Sequence, residues 1–268
     1  MNPFSYDFFL SAFWGVLLTG LITGILGSYI VSRRMVFIAG GITHSSFAGL
    51  GFGFMTGLSP LFFAFISAIL SGLGVEALTK KEAVREDSAI AAVWSLGMAL
   101  GVLFIFLTPG YAPSLSAFLF GNILLVSTTD LLLLALFFAL SLAFVLLFYK
   151  RLLFVSFDPE FARTKGLPVS FYRTAMMVWF SAGIVLSIRV MGIMMLMSML
   201  SLPQMTINLF THRFRYLLIG SSLLSVGSTL ISLFASFYLN IPTGAFSVVL
   251  LSCLFLLAKG YELLRRRP

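Results

Sequence analysis

The sequence contains few charged residues. Asp, Glu, Lys and Arg together make up 10% of the chain, whereas hydrophobic residues make up 60%. Since soluble domains average about 25% charged residues, this composition excludes a soluble globular protein and indicates an integral membrane protein. The 268 residues allow about ten spans of roughly 20 residues with short loops, which leaves no length for a separate soluble domain. The one cysteine, Cys253, excludes a disulfide within the chain.

Several chemical signatures are also missing. No G-x-x-x-x-G-K-[ST] motif occurs, which excludes a P-loop ATPase site in this chain. No H-E-x-x-H motif occurs, and the two histidines, His44 and His212, lie far apart. Carboxylates are absent from the middle of the apolar runs, since Glu76 and Asp130 lie near run ends. Ion-coupled transporters usually keep a carboxylate within the membrane, so its absence indicates an external energy source.

The apolar residues form nine runs, each about long enough to cross the membrane as an α-helix. The runs cover residues 8–32, 36–57, 60–79, 89–108, 128–149, 171–188, 190–210, 216–238 and 242–260. We therefore predict an all-α polytopic fold of about nine transmembrane helices, or eight if 171–210 forms one long or re-entrant helix around Arg189. The segment 113–127 is too short for a further span and predicts an interfacial or re-entrant helix on the outer side.

Glycines recur at four-residue spacing inside several of these runs. The pairs are Gly20/Gly24, Gly49/Gly53, Gly53/Gly57 and Gly97/Gly101. In lipid, such spacing lets two helix backbones approach closely, so we expect a closely packed bundle.

The basic residues predict the orientation of the chain. The net charge is +8, and the basic residues sit at the ends of apolar runs rather than in one patch, which argues against nucleic-acid binding. With the N-terminus outside, nine spans place 16 of the 17 Lys and Arg residues in the cytoplasm, and only Arg189 lies outside. Cytoplasmic loops of membrane proteins are enriched in Lys and Arg, so we predict an N-out/C-in topology.

The stretch AGGITHSSFAGLGFG, from Ala39 to Gly53, surrounds His44 with small residues. Residues on the same helical face as His44, or beside it, are Gly40, Gly41, Ala48 and Gly51, with the hydroxyls of Thr43 and Ser45 close by. This face packs against another helix or lines a pathway. Two interpretations follow for His44: a packing residue hydrogen-bonded to a neighbour, or a ligand or gate for a polar solute, since ionisable groups inside membranes usually serve function.

The longest predicted cytoplasmic loop contains SFDPEFARTKGL, from Ser156 to Leu167. Asp158 is an N-cap type residue, Pro159 suits the first helical position, Glu160 favours a helix N-terminus, and Gly166 can end the helix. We predict a short helix outside the membrane near 158–166. It is either a capped loop or a docking site for a cytoplasmic partner.

A methionine-rich stretch precedes Pro203. Six methionines occur between Arg189 and Met205. Thioethers can bind soft metals such as Cu(I), but methionine more often serves as adaptable core filler. We interpret this stretch as packing, with Pro203 as a packing or pathway residue.

Taken together, five motifs resemble the membrane permease subunit of the zinc/manganese/iron ABC importers, over nearly the whole chain. The motifs are SRRMVFIAGGITHSSFAGLGFG, FLFGNIL, SFDPEFARTKGL, MGIMMLMSMLSLPQ and IPTGAFSVVLLS. The resemblance implies that 1–268 forms a single transmembrane permease domain in the inner (cytoplasmic) membrane of a prokaryote. It also implies a homodimer of permeases, two cytoplasmic ATPase subunits that alone bind ATP, and an extracytoplasmic metal-binding protein. The chain itself is then not an enzyme.

The resemblance also implies roles for particular residues. The short loop helix is similar to the family's coupling helix, which docks into the ATPase; its residues are Asp158, Pro159, Glu160, Phe161, Ala162, Arg163, Lys165 and Gly166. The helix with His44 lines the translocation path, where the family has an Asp and a His four residues apart. His44 matches the His, but Gly40 stands at the Asp position, so each protomer is expected to offer the metal one imidazole together with the hydroxyls of Thr43 and Ser45.

The missing carboxylate leaves the transported metal open. No cofactor is expected to be bound permanently, and the cargo is a divalent metal, zinc or manganese first and iron next. Imidazole without a carboxylate favours zinc slightly over manganese. Three alternatives remain: a permease for a metal chelate such as haem or a siderophore, an intramembrane hydrolase that pairs a serine with His44, and a purely structural membrane anchor.

Overall fold

The computed structural model describes residues 3–79, 84–109, 121, 123 and 126–265. The regular structure of these residues is helical, with a 3-10 turn at Pro3–Ser5 and ten α-helices, so the all-α prediction is confirmed. The α-helices are α1 (Asp7–Ser32), α2 (Val36–Thr56), α3 (Pro60–Thr79), α4 (Glu86–Phe106), α5 (Thr128–Phe157), α6 (Pro159–Thr164), α7 (Val169–Met199), α8 (Leu202–Asn208), α9 (Phe214–Leu239) and α10 (Thr243–Arg265).

Seven helical segments in the described part of the chain are long and apolar enough to cross a membrane, with α7 and α8 together counted as one. Helix α2 is not among them, although its 21 residues give it sufficient length. Its glycine, serine, threonine and histidine residues lower its hydropathy. The predicted number of nine spans is therefore not confirmed. The predicted outer helix at 113–127 falls largely outside the described residues and stays a prediction.

The predicted turn at Arg189 is wrong. Helix α7 runs through Arg189, and the backbone leaves helical geometry instead at Gly192 (φ 70°, ψ 169°). The Arg189 guanidinium forms an ion pair of 2.6 Å with the carboxylate of Asp130, at the start of α5. Because Asp130 supplies the counter-charge, Arg189 does not need a solvent-exposed turn, and the runs 171–188 and 190–210 are not separated at this residue.

The chain divides into two compact units. Unit 1 contains the described residues of Met1–Arg34, Ser116–Ala143 and Leu186–Pro268, and unit 2 contains those of Met35–Leu115 and Phe144–Val185. Each unit is therefore assembled from separate stretches of sequence, and α5 and α7 each contribute to both.

In unit 1, α1 packs closely against α9 through small residues. A Cβ atom placed on Gly24 would lie 2.8 Å from the Cβ of Ser222, and one on Gly20 would lie 3.1 Å from the Cα of Val226. The contact at Gly24 leaves no space for a side chain and that at Gly20 is tight, so the Gly20/Gly24 pair permits the backbone approach that its spacing predicts. The neighbouring hydroxyls of Ser28 and Ser221 are hydrogen-bonded at 2.8 Å.

Aromatic contacts give the directions of these helices. The rings of Phe9 and Phe237 lie 5.2 Å apart, and those of Tyr29 and Phe214 lie 4.8 Å apart. The start of α1 therefore lies beside the end of α9, and the end of α1 beside the start of α9. The two helices are antiparallel.

The segment on both sides of the break at Gly192 runs along α1. Val190 lies 3.5 Å from the position of a Cβ on Gly15, and the carbonyl oxygen of Leu200 lies 2.7 Å from that of a Cβ on Gly27. From Val190 to Leu200 the chain therefore runs in the same direction as α1. Arg189 consequently lies toward the end of unit 1 where α1 begins.

The basic residues of unit 1 gather at the opposite end. The rings of Phe210, which follows α8, and Tyr261, near the end of α10, lie 6.4 Å apart. The end of α10 therefore lies beside the start of α9. Because the start of α9 lies beside the end of α1, all three helix ends are at the same end of unit 1. The described basic residues at this end are Arg33, Arg34, Arg213, Arg215, Lys259 and Arg265.

In unit 2, α2 packs on α3 through two glycines. A Cβ on Gly49 would overlap the carbonyl group of Phe63 and lie 2.8 Å from the backbone nitrogen of Ala64. A Cβ on Gly53 would lie 2.9 Å from the nitrogen of Pro60, which opens α3. The Gly49/Gly53 pair thus brings two backbones together. Gly57 does not, since it adopts φ 71° as the C-cap of α2 with open space around it.

Helix α4 approaches α2 through its own glycines. A Cβ on Gly97 would lie 2.7 Å from the Cβ of Ser45, and one on Gly101 would lie 2.8 Å from the carbonyl oxygen of Phe47. Residue numbers rise together along both helices, so α2 and α4 run in the same direction. Helix α2 therefore has close backbone contacts with α3 and with α4.

Candidate functional site

Helix α2 carries the histidine and is buried on more than one side. On the small-residue face, a Cβ on Gly41 would lie 3.0 Å from Ile90, and one on Gly51 would lie 2.7 Å from the carbonyl oxygen of Gly101. On another side, Ile42 lies 3.4 Å from the position of a Cβ on Gly72 in α3. The structure therefore places Gly40, Gly41, Ala48 and Gly51 in a helix whose surroundings are other helices of unit 2.

His44 lies against an aromatic side chain of α4. Its imidazole stacks on the indole of Trp94, with ring centroids 4.1 Å apart and planes inclined by 13°. The imidazole is half-buried, and its Nδ1 is buried with no hydrogen-bond partner among the described residues. A packing histidine should have such a partner, because an unpaired buried polar atom costs free energy. The Nδ1 atom is therefore available to a ligand.

The two predicted hydroxyl ligands already make contacts within their own helix. The hydroxyl of Thr43 donates to the carbonyl of Ala39 at 2.6 Å, and that of Ser45 donates to the carbonyl of Ile42 at 3.1 Å. Both side chains are buried. The structure therefore shows these hydroxyls hydrogen-bonded to carbonyls of their own helix. Because each oxygen keeps a lone pair, binding of a metal would be an additional role.

No cluster of acids or soft ligands surrounds the histidine. Within the described residues, no group of three or more His, Cys, Asp or Glu side chains could hold a metal ion. Gly40, one helical turn before His44, contributes no side chain. One copy of the chain therefore offers a single imidazole, which suits a transient contact with a passing cation more than a resident metal centre.

A groove of about 420 Å³ lies near this site, between α2, α3 and α4. Its lining residues are Ser45, Ala48, Gly49, Phe52, Phe63, Ile66, Ser67, Leu70, Ser71, Val93, Leu96, Gly97, Leu100 and Phe104. These are apolar or carry a hydroxyl, and none of them is titratable. The groove thus offers hydroxyl oxygens but no charged or imidazole ligand for a cation, and His44 remains the candidate contact in unit 2.

The sequence reasoning missed Trp94. A signal was present, because Trp94 precedes Gly97 by three residues, and residues three apart share a helix face. Since the Gly97/Gly101 pair marks the face of α4 that meets another helix, Trp94 could have been placed on that contact. The partner helix could not have been read from the sequence.

The short loop helix predicted near 158–166 forms where it was predicted. Helix α6 begins after Asp158, whose carboxylate accepts a 2.9 Å hydrogen bond from the backbone N–H of Phe161. It ends at Thr164, followed by Lys165 and then by Gly166 with φ 73°, and the N–H of Leu167 donates to the carbonyl of Ala162 at 3.1 Å. These are a side-chain N-cap and a glycine C-cap of the kind that the residue pattern predicted.

One aromatic side chain of α6 is available to a partner. Phe161 is 40% exposed, and the ammonium of Lys165 lies 5.5 Å from the centre of its ring. Glu160 and Arg163 form an ion pair of 2.8 Å on the exposed side of the same helix. The helix therefore presents an aromatic ring among charged groups, which suits contact with another protein.

The methionine-rich segment is largely packing. Met191, Met195 and Met199 are fully buried in the segment around the break at Gly192. Pro203 lies in the first turn of α8. The side-chain amide of Gln204, which the sequence reasoning also missed, donates to the carbonyls of Thr23 at 3.1 Å and of Met199 at 3.2 Å.

An all-helical chain with seven apolar spans in its described part and a capped helix outside them has the architecture of a multi-pass membrane protein. The chain belongs to the ABC 3 transport family, whose sequence profile matches residues 5–261. It is therefore a permease subunit of a metal ABC transporter rather than an enzyme, and a multi-pass protein of the bacterial inner membrane. Family membership implies the other components of an ABC transporter as partners.

Relatives and solved structures agree with this family. The chain is 31% identical over 254 residues to the manganese transport system membrane protein MntC of Halalkalibacterium halodurans, covering 95% of this chain and 87% of that protein. It is similar to a structure of PsaBC from Streptococcus pneumoniae in complex with Fab, with TM-score 0.84, 27% identity and coverage of 94% and 91%. A metal-chelate type ABC transporter in an inward-facing conformation shares the fold, with TM-score 0.74, 20% identity and coverage of 94% and 85%.

Proposed function

We propose that this chain is the permease of an ABC importer that carries a divalent transition metal into the cytoplasm, driven by ATP hydrolysis on a separate subunit. The observation that carries the proposal is the buried Nδ1 of His44, which has no hydrogen-bond partner among the described residues, in a helix packed inside a membrane domain. An ionisable side chain in this position is a functional-site hypothesis by default. The absence of a P-loop from the sequence is in keeping with an ATPase on another chain.

The cargo is manganese or zinc, with iron as the third candidate. The name of the Halalkalibacterium halodurans relative favours manganese. The ligand chemistry favours zinc, because a lone imidazole with Gly40 in place of a carboxylate suits a borderline cation better than a hard one. The site is therefore a weak one, from which the ion passes on.

The orientation is N-out/C-in. The described basic residues of unit 1, apart from Arg189, support this orientation because they lie at the end of the unit where both α1 and α10 end. Since cytoplasmic ends of membrane proteins are enriched in Lys and Arg, we place that end in the cytoplasm. Arg189, the one basic residue left on the other side, has its charge balanced by Asp130. Helices α1 and α10 then begin outside and end inside.

The working complex contains two permeases, two ATPase subunits and an extracytoplasmic metal-binding protein. Helix α6 is the part that docks on the ATPase, supported by its cap at Asp158 and the exposed ring of Phe161. Two copies of the permease bring two His44 imidazoles, which compensates in part for the missing carboxylate.

The alternatives have less support. A chelate permease relies on the neighbour at 20% identity, which speaks to the fold alone. A hydrolase requires a serine hydrogen-bonded to the imidazole, whereas Nδ1 of His44 has no partner among the described residues.

The test is metal uptake by the reconstituted complex, with manganese, zinc, iron and copper compared. His44→Ala should abolish uptake while the ATPase subunits stay bound. The chain's other histidine, His212, is exposed beside the start of α9, so His212→Ala is the matched control and should retain uptake. If uptake of every metal survives His44→Ala, the assignment of the path to α2 is refuted.

A further inference from the structure

The stacked pair of His44 and Trp94 has a consequence for cation binding. The lone pairs of imidazole lie in the plane of the ring, so a cation approaches the edge of His44 while the indole covers a face. Stacking and metal binding are therefore geometrically compatible. The face of an indole is electron-rich and attracts positive charge, and tryptophan is the most effective aromatic side chain in this respect.

We propose that Trp94 is a positioning residue for the transported ion: it fixes the plane of His44 and stabilises the imidazole once that imidazole carries the charge of a bound divalent cation. This inference rests on the proposed function of His44 as the cation contact. It assigns Trp94 part of the electrostatic role that a carboxylate at position 40 would have filled.

The backbone contacts on either side hold the pair in place. Before Trp94 in α4, Ile90 lies against Gly41; after it, Gly97 lies against Ser45. At Gly97 the backbones of α2 and α4 meet with no space for an added Cβ, and at Gly41 the side chain of Ile90 packs tightly against α2, so the two helices are in close contact on both sides of Trp94. The two rings are thus set against each other by the backbones and not only by their own attraction.

The acidic side chains described in unit 2 do not gather into a metal-binding group at the histidine. No metal-binding cluster of acidic side chains exists within the described residues, and the groove beside α2 is lined by apolar and hydroxyl side chains. An aromatic face is therefore the main electrostatic partner that the described part of unit 2 offers to a charged His44. Its strength at a partly desolvated site corresponds to about a 3- to 30-fold change in cation affinity.

The first measurement is uptake by the reconstituted complex as a function of metal concentration. Trp94→Leu should raise the half-saturating concentration of Mn²⁺ or Zn²⁺ by about 3- to 30-fold, and Trp94→Phe should have a smaller effect, because phenyl attracts cations less than indole does. The control is Trp14→Leu, since Trp14 is 49% exposed and belongs to unit 1. It should leave the half-saturating concentration unchanged.

The second measurement does not depend on transport. With labelled histidine in the intact complex, the ring protons of His44 should show an upfield shift caused by the stacked indole, and Trp94→Leu should remove it. The chain has two histidines, so His212→Ala assigns the signals. Titration with Mn²⁺ alone should broaden the His44 signals at lower concentration in the wild type than in Trp94→Leu.

The outcomes separate this inference from the proposed function. If His44→Ala abolishes uptake but both Trp94 variants keep the wild-type half-saturation and Mn²⁺ titration, the proposed function stands and the role of Trp94 is refuted. If His44→Ala leaves uptake intact, the proposed function fails, and the inference fails with it. If Trp94→Leu does not fold, Trp94→Phe decides: wild-type affinity in that variant, with the histidine shift reduced, overturns the inference.

Discussion

Replacement of Gly97 by alanine should destabilise the protein, because α2 and α4 are in backbone contact there. A Cβ at position 97 would lie 2.7 Å from the Cβ of Ser45 and would overlap its Cα. Neither atom belongs to the flexible end of a side chain, so the helices themselves must separate. Gly74 in α3 is the matched control, since a Cβ there meets nothing within 4 Å.

The expected cost follows from the comparison of the two variants. Both gain the helix propensity of alanine over glycine, about 0.5–1 kcal/mol in water, so their difference isolates the cost of overpacking. Inserting one carbon into a well-packed contact costs about 1–3 kcal/mol. We therefore expect Gly97→Ala to be less stable than Gly74→Ala by about 1–3 kcal/mol, with Gly74→Ala at or slightly above wild type.

The assay is thermal unfolding of the purified permease in one fixed lipid nanodisc, followed by helical circular dichroism. A free-energy difference of this size corresponds to a difference in Tm of about 2–12 °C. Equal unfolding midpoints for Gly97→Ala and Gly74→Ala would refute the close contact between α2 and α4. They would also refute the inference that this contact holds His44 and Trp94 against each other.

Three further predictions follow from other contacts. Phe161→Asp should abolish ATP-driven uptake without changing membrane insertion, because the exposed ring of α6 is lost to the ATPase; normal coupled transport would contradict the docking role. Asp130→Asn should cost about 1–3 kcal/mol, since the buried carboxylate pairs with the half-exposed Arg189 and also accepts hydrogen bonds from Ser127, and the salt dependence of Tm should fall with it; an unchanged salt dependence would contradict this. Gln204→Leu should lower stability by about 1–2 kcal/mol through the loss of two hydrogen bonds, one of them to Thr23; an unchanged Tm would show that these hydrogen bonds do not stabilise the packing of α8 on α1.

Local features were predictable from the sequence because their causes are local. Apolar runs imply helices in lipid, since every backbone polar group must be paired inside the segment. Helix α6 was placed correctly because its cap residues, Asp158 and Gly166, act within a single turn. The glycine pairs indicated close packing, and three of the four provide it, whereas Gly57 ends a helix instead.

Features that depend on distant residues were not predictable in the same way. Arg189 was interpreted as the mark of a turn because an arginine within an apolar run has no local partner, but its partner Asp130 lies on another helix. The stacking of His44 on Trp94 depends on the register between α2 and α4, which is set by the close approach of Gly97 to Ser45. The ligand roles of Thr43 and Ser45 stay predictions.

The division of the chain into two units also sets an order of events during synthesis. Helix α1 belongs with α9, but about 180 residues separate the end of one at Ser32 from the start of the other at Phe214. At about 5–20 residues per second, α1 waits roughly 10–40 s for its partner. During that time Gly24 and Ser28 of α1 have not yet met their partners on α9, Ser222 and Ser221. Unit 2 ends at Val185 and can close before α9 is made, so α1 is the part of the nascent protein most in need of a temporary partner.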